Sequence, residues 1–177
     1  MIVNFCIILK EILLAKDYIM IGLILAIIIF NSAAYFCSGR LTRNNKLHIW
    51  TFTIAFQLTH DLIVEYKHMA YWYFDKGISW PGLMGHTILL PPVNILFLNF
   101  FPFGKGFLKQ FSYVAVWTGG LLIYELATRL PEPWGYFQYG WWKWEYSALE
   151  DPLLLLILVG FYKLVLHLET EVRMMER

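Results

Sequence analysis

Residues 47–66, LHIWTFTIAFQLTHDLIVEY, are apolar enough and numerous enough to cross a bilayer, yet they carry Thr53, Gln57, His60, Asp61 and Glu65. A charged side chain at the centre of a span costs roughly 2.5–3.5 kcal/mol on insertion scales. Such a segment stays in a membrane only where neighbouring helices shelter its polar groups. The rest of the chain must therefore supply those neighbours.

The composition agrees with lipid as solvent. Of 177 residues, 59% are hydrophobic and only 15% are charged, with a mean hydropathy of +0.54; a soluble domain carries about 25% charge. A net charge of +1 and the lack of any long basic run exclude a polyanion, so no nucleic-acid partner is expected. Cys6 and Cys37 lie at opposite ends of the first apolar region and read as small apolar fillers, because a span between them opposes a disulfide.

The pattern predicts an all-α, polytopic helical bundle of about five transmembrane helices, forming one domain over residues 1–177. Residues 1–17 have Ile2, Phe5, Leu9 and Ile12 at helical spacing among scattered charges, which fits an N-terminal interfacial segment. Residues 18–36 form an uncleaved first span, since the run is too long for a signal peptide's apolar core. Residues 47–66 are the second. The third covers 81–101, with Pro91 and Pro92 at its middle removing two backbone donors and predicting a kink. The fourth, 111–130, contains Gly119 and Gly120, which permit close helix approach. Residues 153–168 are the fifth, and 131–152 read as a long aromatic loop.

Lys and Arg in the short loops set orientation. Arg40, Arg43, Lys46, Lys105 and Lys109 fall on one side in segments free of acids. This places residues 37–46, 102–110 and the C-terminal tail in the cytoplasm, with the N-terminus outside, in a multi-pass protein of the cell membrane.

With about 1.5 Å of rise per residue, Asp61, Glu125 and His86 fall roughly 6–8 Å to the outer side of their spans' centres. Three helices thus offer ionisable groups in one layer. Gln57, Asp61 and Glu65 follow i, i+4 spacing and share a face, which His68 extends and His60 flanks. Asp61 and Glu125 are the candidate catalytic acid and base, and His60, Glu65 and His86 are candidate ligand contacts. The plainer alternatives are an i, i+4 pair of Glu125 with Arg129, solvation of Glu65 and His68 near the boundary, and His86 as a packing residue. Asn94 and Asn99 are expected to bond across helices. No specific metal motif is present, so no metal is predicted; HExxH, GxSxG and phosphate-binding glycine loops are all missing.

The loop 131–152 holds Trp134, Tyr136, Phe137, Tyr139, Trp141, Trp142, Trp144 and Tyr146. Interfacial anchoring accounts for some of these rings. The remainder make Trp141, Trp142 and Trp144 candidate contacts for a lipid chain, an isoprenoid or a sugar.

The stretches YFDKGISW, LPPVNILFLNFFPF and WWKWEYSALEDP resemble an uncharacterised family of small multi-pass membrane proteins from Gram-positive spore-forming bacteria. The likeness covers about half the chain, from Asp61 to Pro152. It implies a plasma-membrane helical bundle and carries no catalytic residues or cofactor with it. Glu150 and Asp151 before Pro152 are not a feature of that family. A weaker resemblance is to the small membrane-embedded lycopene cyclase domains, which also combine short spans with carboxylates near a proline, although there the acids follow it.

Three function classes stay open. One is an accessory protein of envelope or spore physiology. Another is a membrane-embedded enzyme acting on a lipid or isoprenoid. The third is a small proton-coupled carrier, for which intramembrane carboxylates are a usual mark. The bilayer itself is the one partner the sequence requires.

Overall fold

A computed structural model describes residues 20–77, 80–131 and 133–175. The interfacial segment expected over 1–17, and Cys6 within it, lie outside the described residues. Five helices and one small sheet make up the described chain. Helix α1 is Ile21–Cys37, and α2 is Arg43–Asp61, continued by a π-helical turn over Leu62–Lys67. Helix α3 is Trp80–Phe100, α4 is Phe107–Ala127, and α5 is Trp144–Met175. By length and composition, α3 and α5 are each able to cross a membrane, and α1 is a shorter apolar helix.

Helix α3 is the axis of the bundle, with Pro91, Pro92, Val93 and every residue from Ile95 to Asn99 buried. Helices α1 and α2 each pack against it, and α4 and α5 pack against each other. Phe97 meets Tyr113 and Trp117 of α4 edge-on or tilted, and the Tyr113 hydroxyl donates to the Phe97 carbonyl at 2.9 Å. The expected polar bonds between helices are present. Asn94 Nδ2 donates to Thr53 Oγ1 at 2.9 Å, and Asn99 Nδ2 donates to the Cys37 carbonyl at 2.9 Å while its Oδ1 accepts from the Arg40 amide.

The start of α2 has a clear local cause. Thr42 Oγ1 accepts from the Asn45 amide, and Asn45 Oδ1 accepts from the Thr42 amide, a reciprocal cap that satisfies two end donors. Asn44 and Asn45 also donate to Glu169 Oε1 at 2.6 and 2.9 Å, tying this end of α2 to the far end of α5.

The prolines of α3 act through a wider turn. Gly85–Leu89 is π-helical, and the α-helix resumes at Leu90 directly before Pro91 and Pro92. Pro92 has no N–H to give the Ile88 carbonyl four residues earlier. That carbonyl instead accepts from Asn31 Nδ2 of α1 at 3.1 Å.

Two sequence expectations are corrected, and a small sheet is added to the helical fold. The fifth helix begins at Trp144 and runs through Pro152, so residues 144–152 are helix and not loop. The two aromatic loops pair as β1, Tyr71–Tyr73, and β2, Phe137–Tyr139, antiparallel with Tyr73 opposite Phe137. Gly119 and Gly120 face open space, and the close approach is made elsewhere: a Cβ at Gly22 of α1 would run into the Trp134 backbone.

Candidate functional site

The site is built where two π-helical turns meet. Asp61 ends the regular part of α2, Glu65 sits in the turn that follows, and His86 sits in the π turn of α3. A π turn is a costly insertion that concentrates at functional sites. All three side chains are buried, at 0%, 2% and 1% exposure. His86 Nδ1 lies 2.9 Å from Asp61 Oδ2, and its Nε2 lies 3.3 Å from Glu65 Oε2. The layer expected from helix depth therefore forms for Asp61 and His86, and Glu65 is buried within it instead of solvated at the boundary.

Asp61 is held from several sides. Gln57 Nε2 donates to both of its oxygens at 3.1 and 3.0 Å, and the Tyr71 hydroxyl donates to Oδ1 at 2.8 Å. His60 Nδ1 lies 3.2 Å from the same oxygen, and His60 Nε2 lies 2.7 Å from Glu150 Oε1 of α5. The small sheet forms the roof of this arrangement. Tyr71 and Tyr73, two apart on a strand, project to one face, where Tyr73 meets the His86 ring edge-on. Left-handed backbone at Met69 (φ 50°) and Phe74 (φ 61°) brackets β1, an unfavourable conformation for such residues that the packing around it sustains. Burial pushes the Tyr71 and Tyr73 hydroxyls well above their ordinary range, and the neighbouring Asp61 adds to it, so both remain neutral donors.

A cavity of about 200 Å³ lies beneath the roof, between α2, α3, α4 and α5. Phe52, Phe56, Leu90, Val93, Leu121 and Leu158 give it apolar walls, and His60, Glu125, Glu150 and Asp151 bring ionisable groups to it from three helices. Glu125 is fixed by the Tyr139 hydroxyl, which donates to its Oε1, and by Ser147 Oγ at 3.0 Å. Trp142 Nε1 donates in turn to Ser147 Oγ at 3.0 Å. Arg129 makes no direct ion pair with Glu125: its guanidinium lies over the Tyr139 ring, 4.1 Å from the centroid, and acts on Glu125 through its charge alone.

Of the residues singled out from sequence, His60, Glu125 and Trp142 line the cavity. Asp61, Glu65 and His86 cluster directly behind it. Trp141 and Trp144 are not brought there; both are about half exposed, and Trp141 Nε1 donates to the His68 carbonyl at the rim. The sequence names Glu150 and Asp151 only as an acidic pair before Pro152 and Tyr71 and Tyr73 only as part of an aromatic loop closing over the polar layer, and it does not single out Ser147. The i, i+3 and i, i+4 spacing of Ser147 with Glu150 and Asp151 would have placed those three on one face, had this stretch been read as helix.

Chemically, the arrangement offers carboxylates and an imidazole at an apolar cavity, for proton transfer or for binding a polar group, and a separate buried triad of two carboxylates and an imidazole, a donor set suited to a divalent ion. No family model, curated protein or solved structure matches the chain.

Proposed function

We propose that the chain is a five-span protein of the cell membrane, N-terminus outside and C-terminus in the cytoplasm, whose bundle binds the polar end of a lipid or isoprenoid and performs acid–base chemistry on it. The observation that carries this reading is the cavity, apolar on its walls and lined at one end by carboxylates and a histidine from three helices. An amphiphile matches that division, with its head at the ionisable groups and its first carbons against Leu121 and Leu158. The volume, about 200 Å³, is well above the roughly 10–15 Å³ needed to hold one water. It is large enough for a headgroup or a terminal isoprene unit. Glu125 is the group assigned to proton transfer, because Tyr139 and Ser147 orient it and it lies at the ligand's polar end.

Large apolar side chains exposed on the outer faces of the helices support the membrane reading, among them Ile28 and Ile29 of α1, Val116 and Ile123 of α4, and Leu153 of α5. The resemblance to small membrane proteins of spore-forming bacteria agrees with it and leaves the substrate open.

The test is what the purified protein carries. Mass spectrometry of the protein released from detergent should find a co-purifying amphiphile near one per chain. Leu121→Trp, which fills the cavity, should lose it. Identical lipid content in the wild type and in Leu121→Trp would overturn the reading and leave a purely accessory role. Proton flux in vesicles, lost in Glu125→Gln and without bound lipid, would identify a carrier instead.

A further inference from the structure

We propose that Asp61, Glu65 and His86 hold one divalent transition-metal ion, of the zinc or manganese class, behind the wall of the cavity. This goes beyond the lipid-binding reading and does not depend on it. One ligand atom from each of the three lies within 4.8 Å of the others, and all three residues are buried. Carboxylate oxygens with an imidazole nitrogen suit first-row divalent ions, and three protein donors leave positions for water or a further ligand.

The two histidines of the site differ in a way that points to an ion. His60 makes directed hydrogen bonds through both nitrogens, to Asp61 and to Glu150. His86 has carboxylate oxygens at 2.9 and 3.3 Å as ion-pair contacts, yet neither of its nitrogens makes a directed hydrogen bond, and Glu65 Oε2 has no directed hydrogen bond either. Distance is satisfied and direction is not. Three buried polar atoms without a directed hydrogen bond in one place are rare in a folded protein. An ion bound by Asp61, Glu65 and one His86 nitrogen would employ the orphaned Glu65 oxygen and one of the two nitrogens.

Among the described residues, the ion-pair partners of Asp61 and Glu65 are imidazoles, not Lys or Arg: His60 and His86 for Asp61, and His86 for Glu65. The supporting contacts are those of a metal site as well: Gln57 and Tyr71 fix the Asp61 carboxylate, and outer contacts of this kind orient ligands.

The experiment is metal analysis of protein purified with a tag free of histidine, from cells grown with added zinc and manganese. About one equivalent of one metal per chain is expected, removable by a chelator and restored by zinc or manganese alone. Cobalt substitution should give visible absorption bands of a low-symmetry site. Asp61→Asn with Glu65→Gln should lower bound metal at least tenfold. Tyr71→Phe, which keeps all three ligands, should weaken affinity about 10–100-fold. The chelator arm uses unaltered protein, so it stands even if the double variant fails to fold. Substoichiometric metal with no uptake on zinc or manganese titration would overturn the proposal. So would full metal content in the double variant, and the triad would then be an imidazolium held between two carboxylates.

Discussion

His60 Nε2 lies 2.7 Å from Glu150 Oε1, joining the C-terminal end of α2 to the first turns of α5 across ninety positions of sequence. This contact places the beginning of α5 against the polar layer, so that Glu150, Asp151 and Ser147 face the cavity. It is also testable by itself. Both side chains are partly exposed, at 16% and 27%, so the coupling is moderate, about 1 kcal/mol. His60→Gln and Glu150→Gln should each destabilise the protein, and the double variant should cost less than their sum. Additive losses in detergent unfolding would show that the contact contributes nothing.

Orientation is checked by labelling. Cys37 is free and exposed, which makes it a native reporter for the end of α1 in a Cys6→Ser background. An impermeant thiol reagent should reach it only after the cells are opened. Lys76→Cys, placed in a Cys6→Ser, Cys37→Ser background on the exposed loop after β1, should react in intact cells. Labelling of Cys37 from outside reverses the assignment.

The bond from Asn31 to the Ile88 carbonyl replaces the one that Pro92 cannot make. Asn31→Leu should leave that carbonyl without a partner and cost about 1–2 kcal/mol. Adding Pro92→Ala restores an N–H to the turn and should recover part of that loss. The absence of any recovery would mean that the π turn, and not the side chain, satisfies the carbonyl.

How much of this was legible in sequence depends on the signal each feature leaves. Apolar periodicity and length fixed the helices, and counting residues along them placed Asp61 and His86 at one depth. Asn94 and Asn99, isolated amides in an apolar run, announced bonds between helices. The π turns have no composition of their own, so the step that joins Asp61, Glu65 and His86 was hidden. Strands of three residues are too short to display alternation, and Tyr71 and Tyr73 therefore read as loop aromatics. Pro152 reads as a boundary because proline removes an interior bond, yet α5 passes through it. A loop reading of 144–152 leaves Glu150 and Asp151 without the helical face they share with Ser147.

The glycines separate close packing from mere smallness. Gly22 has the Trp134 backbone where a Cβ would stand, whereas Gly119 has nothing within reach. Gly22→Ala should cost about 1–3 kcal/mol through forced displacement, and Gly119→Ala should be neutral or gain up to about 1 kcal/mol of helix propensity. Equal effects in thermal unfolding would show that α1 does not seat on this loop.

Glu125 allows stability and function to be separated at one residue. Its Oε1 accepts from Tyr139 and from Ser147. A glutamine keeps a carbonyl oxygen for both donors and loses the ability to give or take a proton. An alanine removes the acceptor and strands two hydroxyls in a partly buried place, at a cost of about 1–3 kcal/mol. Glu125→Gln should therefore match the wild type in expression and melting while abolishing turnover of a cavity ligand. Glu125→Ala should lose both. If the glutamine variant melts like the alanine one, the charge of Glu125 is itself structural, with Arg129 across the Tyr139 ring as its balancing cation. If the glutamine variant retains full activity, the proton passes through another cavity group, and Glu150 and Asp151 are the next residues to change.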